Sequence, residues 1–118
     1  MNDITEYCLF CLPAKIDIDD YNEMLQWGYD HPKADTVLFL TQEQLDYYHE
    51  VGLWDLMSDY TDYMIGPSDS NVIFDEEIQN IRDAIVQDVE LKDDFIIKII
   101  EILDYAILHK KAVVMNFG

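Results

Sequence analysis

The chain has 118 residues, half of them apolar, and carries 25 acidic against 7 basic side chains for a net charge of −18 at pH 7. That length allows one domain, residues 1–118, with one sizeable core, and the apolar half excludes a disordered acidic tail. The charge opposes direct binding to nucleic acid or to an anionic membrane, because both would repel it; a basic protein is the natural complement.

Taken in order, Ile4–Leu12 is a short apolar run ahead of Pro13 and suits a buried strand. Its Cys8-x-x-Cys11 spacing invites a zinc or redox reading. No second ligand pair accompanies it, and the thiols sit inside an apolar run, so both are expected in the core, with no metal and no cofactor. No basic segment followed by an apolar one opens the chain, so the expected location is cytoplasmic. Residues 17–28 read as a helix capped by Asp17 or Asp19, with Ile18, Tyr21, Met24 and Leu25 inward and Gly28 at its end. The Asp-rich start lacks the glycine and distal Glu of a calcium loop.

Thr36–Leu40 is a second strand candidate and leads into the clearest local signal in the chain. Thr41 with Gln44 makes a capping box, and Leu40 with Leu45 stands in the positions of a hydrophobic staple. The helix over 42–50 stops at Gly52, with Leu53 placed to meet Tyr48. A further helix over 53–64 has Leu53, Leu56, Met57, Tyr60 and Met64 inward. Residues 67–71 carry loop chemistry. Asp75 caps a helix to about residue 88, along which Ile78, Ile81, Ile85 and Val89 repeat at helical spacing.

Phe95–Leu108 is the most apolar stretch; its polar residues Lys98, Glu101 and Asp104 recur every third position and form one narrow stripe. With three charges in fourteen residues it is too short and too polar to span a membrane, so it is a core helix, opened by Asp93 or Asp94 and expected to back helices 42–50 and 53–64. Ala112–Phe117 is a last strand. The fold class expected is α+β, predominantly helical, with about three short strands and a buried C-terminal helix; the alternative is an all-α bundle.

Between Ala34 and Ile81 there are eleven acids and no Lys or Arg. Glu43, Asp46 and Glu50 share one helical register, and Asp55, Asp59 and Asp62 the next. Like charges at these spacings destabilise a helix by a few tenths of a kcal/mol per pair, so stability alone does not explain them. Tyr47, Trp54 and Tyr63 fall off the inward faces and flank the acids, an arrangement typical of a protein-binding surface. These nine residues are the candidate partner-binding set. No nucleophile elbow or phosphate loop is present, and His31, His49 and His109 are dispersed, so an enzyme is not expected.

In size, acidity and lack of catalytic equipment the chain resembles small bacterial immunity proteins paired with contact-dependent or polymorphic toxins. That resemblance implies a cytosolic inhibitor whose acidic and aromatic surface neutralises a basic toxin domain, a nuclease above all. A DNA mimic of the anti-restriction kind and a general acidic interaction module are the alternatives. Acids spread over the whole exposed surface favour a mimic; a single patch of acids and aromatics favours a dedicated inhibitor.

Overall fold

The computed structural model describes residues 7–31, 33–61, 65, 70–88 and 93–117. Among them the chain forms β1 (Tyr7–Cys11), α1 (Tyr21–Asp30), β2 (Val37–Leu40), α2 (Gln42–Glu50), α3 (Leu53–Asp59), β3 (Ser70–Ile73), α4 (Asp75–Gln87), α5 (Asp94–His109) and β4 (Val113–Asn116). The fold is α+β, and the all-α alternative is set aside.

All four strands belong to one antiparallel sheet in the order β2-β1-β4-β3. Side chains alternate across it. Leu9 and Cys11 of β1, with Val113 and Met115 of β4, join a core built with α2, α3, α4 and α5. Cys8 and Phe10 of β1, with Val114 of β4, face the opposite way into a second cluster with α1. Both sheet faces are therefore covered, which is why the two central strands read as unbroken apolar runs and not as alternating ones. The strand that the sequence concealed is β3. Ser70 and Asn71 carry turn chemistry, yet pairing with Asn116 and Met115 of β4 holds them extended at the sheet edge.

The helix boundaries follow their caps. In α2, Gln44 N–H donates to Thr41 Oγ1 at 3.2 Å and Thr41 N–H to Gln44 Oε1 at 3.0 Å, which is the capping box read from sequence. Asp93 Oδ1 accepts from Ile96 N–H at 2.9 Å and opens α5, whose Ile96, Ile99, Ile102, Leu103 and Ala106 are buried. The expected cap of α1 is corrected: Asp20, not Asp17 or Asp19, accepts from Glu23 N–H at 2.9 Å. Ile18 therefore precedes the helix. Gly28 does not end it either; it lies inside, buried, where a Cβ would stand 2.6 Å from the Phe10 ring. Its missing side chain lets α1 rest on β1. At α4, Phe74 occupies the cap position and Asp75 begins the helix.

The neighbours of α5 also differ from expectation. It packs on α4 and on β1, β2 and β4, while α2 meets its N-terminal end through Tyr48, which contacts Asp93 and Phe95. Arg82 of α4 donates to Asp104 at 2.8 Å, and Lys98 donates to Asp35 C=O at 2.8 Å, so the polar stripe of α5 is tied to its surroundings.

Candidate functional site

The base-free segment folds mainly as α2 and α3. In α2, burial of Leu45 and Tyr48 turns Glu43, Asp46, Tyr47 and Glu50 outward. Tyr47 is 53% exposed, and its ring stands edge-on to Tyr48 at 4.9 Å. Asp46 accepts from Gln42 Nε2 at 3.0 Å. Gly52 then takes the left-handed conformation, with φ 88°, that a side chain would strain, and α3 starts at once. Asp55 and Asp59 are exposed on α3.

Two aromatic assignments are corrected. Trp54 does not flank the acids: it is fully buried, with its ring 4.8 Å from Phe117 and its Nε1–H donating to Leu45 C=O at 2.9 Å. Tyr60, expected inward, is 47% exposed. The cause is common to both. Helix α3 ends at Asp59, so its buried side is set by Leu53, Trp54 and Met57 and not by a stripe running on to residue 64. Asp62, Tyr63 and Met64 lie outside the described residues.

Between α3 and α4 a groove of about 440 Å³ brings Asp55 and Asp59 together with Leu56, Tyr60 and Asp88. Asp88 was not legible as a site residue, since the signal around it is only the helix periodicity of Ile78, Ile81 and Ile85. Among the described residues the ion pairs are Arg82 with Asp83 and Asp104, and Lys111 with Asp17. None involves α2 or α3, so among the described residues no ion pair neutralises the carboxylates there.

Carboxylates are not confined to this face. Asp17, Asp19, Asp20, Glu23 and Asp30 are exposed around α1 on the other side of the sheet, and Asp94, Glu101 and Asp104 on α5. No acid is buried among the described residues. The distribution is that of acids spread over both outer layers, with the aromatics partly withdrawn into the core.

The cysteines lie three apart on an extended strand, so their side chains leave opposite sheet faces. Cys8 joins the α1 cluster and Cys11 the main core. Burial pushes both thiols up to about 12. Among the described residues no group of three His, Cys, Asp or Glu is placed to hold a metal ion, and no helix is long and apolar enough to cross a membrane.

Comparison with known proteins agrees with the spread of acids. Residues 5–117 match the family model described as DMP12, DNA-mimic protein. The chain is 32% identical over 111 residues to the DNA mimic protein DMP12 of Neisseria meningitidis serogroup B (strain ATCC BAA-335 / MC58), covering 92% of this chain and 94% of that protein. The solved structure of a Neisseria DNA mimic protein DMP12, 29% identical, superposes with a TM-score of 0.86 over 96% of this chain and 100% of the other. These matches overturn the resemblance to immunity proteins, and with it the toxin-inhibitor reading. Acidity and small size fit both readings and do not discriminate between them; the family match does.

Proposed function

Because the chain belongs to the DMP12 family of DNA-mimic proteins, we propose that it occupies the duplex-binding surface of a basic DNA-binding protein, its carboxylates standing in for phosphates. The observation that carries this reading is the exposure of acids on both outer layers of the fold, with those of α2 and α3 unpaired by any described cation. The reading needs occupancy and no chemistry, and it places the protein in the cytoplasm, where such partners meet DNA.

Helix geometry supplies a spacing of the right order. Glu43, Asp46 and Glu50 rise about 4.5 and 6 Å along the axis of α2, and Asp55 and Asp59 about 6 Å along α3. Phosphates on one DNA strand advance about 3.4 Å per charge. Each helix thus offers a line of charge somewhat sparser than one strand, and Asp88, just past the end of α4, adds a charge beside Asp55 and Asp59. A cationic groove shaped for a phosphate backbone meets several carboxylates at once, which steers encounter and makes it salt-dependent. Glu43, Asp46, Glu50, Asp55 and Asp59 form the proposed contact face, with Tyr47 and Tyr60 at its edges.

The test is displacement. Basic proteins retained from the native host by the immobilised chain are mixed with a fluorescent duplex, and the chain is titrated in. Duplex release at stoichiometric chain, with no binding of the duplex by the chain itself, is expected. A retained partner that keeps its duplex at saturating chain overturns the reading.

A further inference from the structure

On the side of the sheet away from α2 and α3, a groove of about 360 Å³ runs between α1 and the edge strand β3, lined by Asp19, Tyr21, Met24, Ser70, Val72 and Phe74. Its floor is apolar: Met24 and Val72 pack on the cluster that holds Phe10 and Trp27. Its rims are two aromatic side chains left half in water, Tyr21 at 50% and Phe74 at 49% exposure. It opens into a wider groove of about 670 Å³ that shares Asp19, Met24 and Phe74. In that wider groove Lys111 is already held, donating to Asp17 at 2.8 Å and to Ile16 C=O at 2.7 Å. Asp19 makes no ion pair among the described residues.

We propose that this groove is a second contact point, which takes an arginine side chain from the basic protein partner. The assignment rests on the functional reading above for the nature of the partner, and on complementarity for the residue type. An apolar floor accepts an aliphatic stem, while a carboxylate at the mouth demands a cation at its tip. Aromatic rims favour a guanidinium over an ammonium, because the planar group stacks on rings and is less strongly hydrated. A purely apolar occupant would use the floor but gain nothing from Asp19, which is exposed at the mouth, and an anion would meet the field of a chain with net charge −18. The groove lies across the sheet from the α2 and α3 carboxylates, so the partner's cationic surface is met on two layers of the fold.

The probes are capped tripeptides, Ala-Arg-Ala and its citrulline and lysine counterparts, titrated into the full chain while the methyl resonances of Met24 and Val72 are followed. Saturable shifts with the arginine peptide are expected, lost with neutral citrulline and weaker by about two- to fivefold with lysine. Asp19→Asn and Phe74→Ala, both at exposed positions, each weaken the arginine peptide by at least about twofold, whereas Asp55→Asn with Asp59→Asn leaves it unchanged. Equal binding of arginine and citrulline, shifts confined to α3 and α4, or an unaffected Asp19→Asn variant overturns the proposal. The outcome is separable from the functional reading: peptide binding without duplex displacement refutes that reading and leaves the groove, and displacement without peptide binding does the reverse.

Discussion

The Tyr48 hydroxyl donates a 2.8 Å hydrogen bond to Asp93 Oδ2, joining the acidic helix α2 to the first turn of the core helix α5. The same Asp93 caps α5 through its other oxygen, and Phe95 stacks on the Tyr48 ring at 4.3 Å. One carboxylate thus stabilises a helix end and fixes the helix that displays Glu43, Asp46 and Glu50. Tyr48→Phe removes only the bond between the helices and is expected to cost about 1 kcal/mol. Asp93→Ala removes the cap as well and should cost about 2–3 kcal/mol in urea unfolding. Equal losses for the two variants would show that the cap contributes nothing.

The same pair carries a pH dependence. Burial first, then the Asp93 bond and charge, hold the Tyr48 hydroxyl pKa above its ordinary 10.0. A raised pKa in the folded state contributes stability that is complete below pH 10 and fades as pH climbs toward the folded value. The stability difference between the parent and Tyr48→Phe should therefore narrow above pH 10. Urea midpoints measured at pH 8, 10 and 11 check this; a constant difference contradicts it.

Local chemistry was the legible part of this fold. The Thr41–Gln44 box needs only residues within one turn and is read outright, while the cap of α5 is narrowed by sequence to Asp93 or Asp94 and is Asp93 in the fold. What escaped depended on partners far along the chain. Ser70 and Asn71 become a strand because β4 is beside them, although their own preferences are for a turn. Gly28 looks like a helix end by composition, yet it is there for the Phe10 ring, eighteen positions away. Trp54 reads as free on a helix of 53–64, but α3 ends at Asp59 and Leu53, Trp54 and Met57 form its buried side. The candidate acids on described helix positions are exposed; acidity and size in one sequence fit an inhibitor as well as a mimic, and it is the family match that separates them.

The role of Gly28 gives a direct test. On an exposed helix, replacing Gly by Ala stabilises by about 1 kcal/mol. Here the added methyl would lie 2.6 Å from two Phe10 ring carbons and 3.2 Å from Cys8 Sγ. Overpacking of this kind costs about 1–3 kcal/mol, so the clash outweighs the propensity gain. Gly28→Ala should lower the thermal midpoint, and Phe10→Leu should recover part of the loss in the double variant, though it is harmful alone. Simple additivity of the two changes would refute the contact.

The thiols make a prediction about oxidation. Cys8 and Cys11 are buried on opposite faces of β1, and burial raises each pKa from 9.0 to about 12. The stability this contributes is complete below pH 9 and is lost as pH rises toward 12. At neutral pH the native chain should react with an aromatic disulfide reagent only as fast as it opens, and both thiols should react at once in urea. Mass spectrometry of native chain treated with mild oxidant should find no loss of two hydrogens. A Cys8–Cys11 bridge formed under native conditions would mean that β1 is not held as described.

The acids of α3 separate function from stability most cleanly. Asp55 and Asp59 are one turn apart on an exposed helix face and share a groove with Asp88, so their mutual repulsion is present whether or not a partner is bound. Neutralising them should leave the fold unchanged or stabilise it by a few tenths of a kcal/mol. A basic partner loses two attractions at the same time, and encounter slows because the field that steers it weakens. The Asp55→Asn, Asp59→Asn variant is therefore expected to need roughly tenfold more protein for half-displacement of duplex, with most of the difference at low ionic strength, where charges separated by more than about 10 Å still act on each other. The converse change, Tyr47→Ala on α2, removes exposed aromatic surface but no charge and should alter displacement equally at low and moderate salt. Anisotropy titrations at two salt concentrations distinguish the two. If the double Asn variant displaced duplex as well as the parent at both, the α3 face would lie outside the contact, and the acids around α1 would be the next to neutralise.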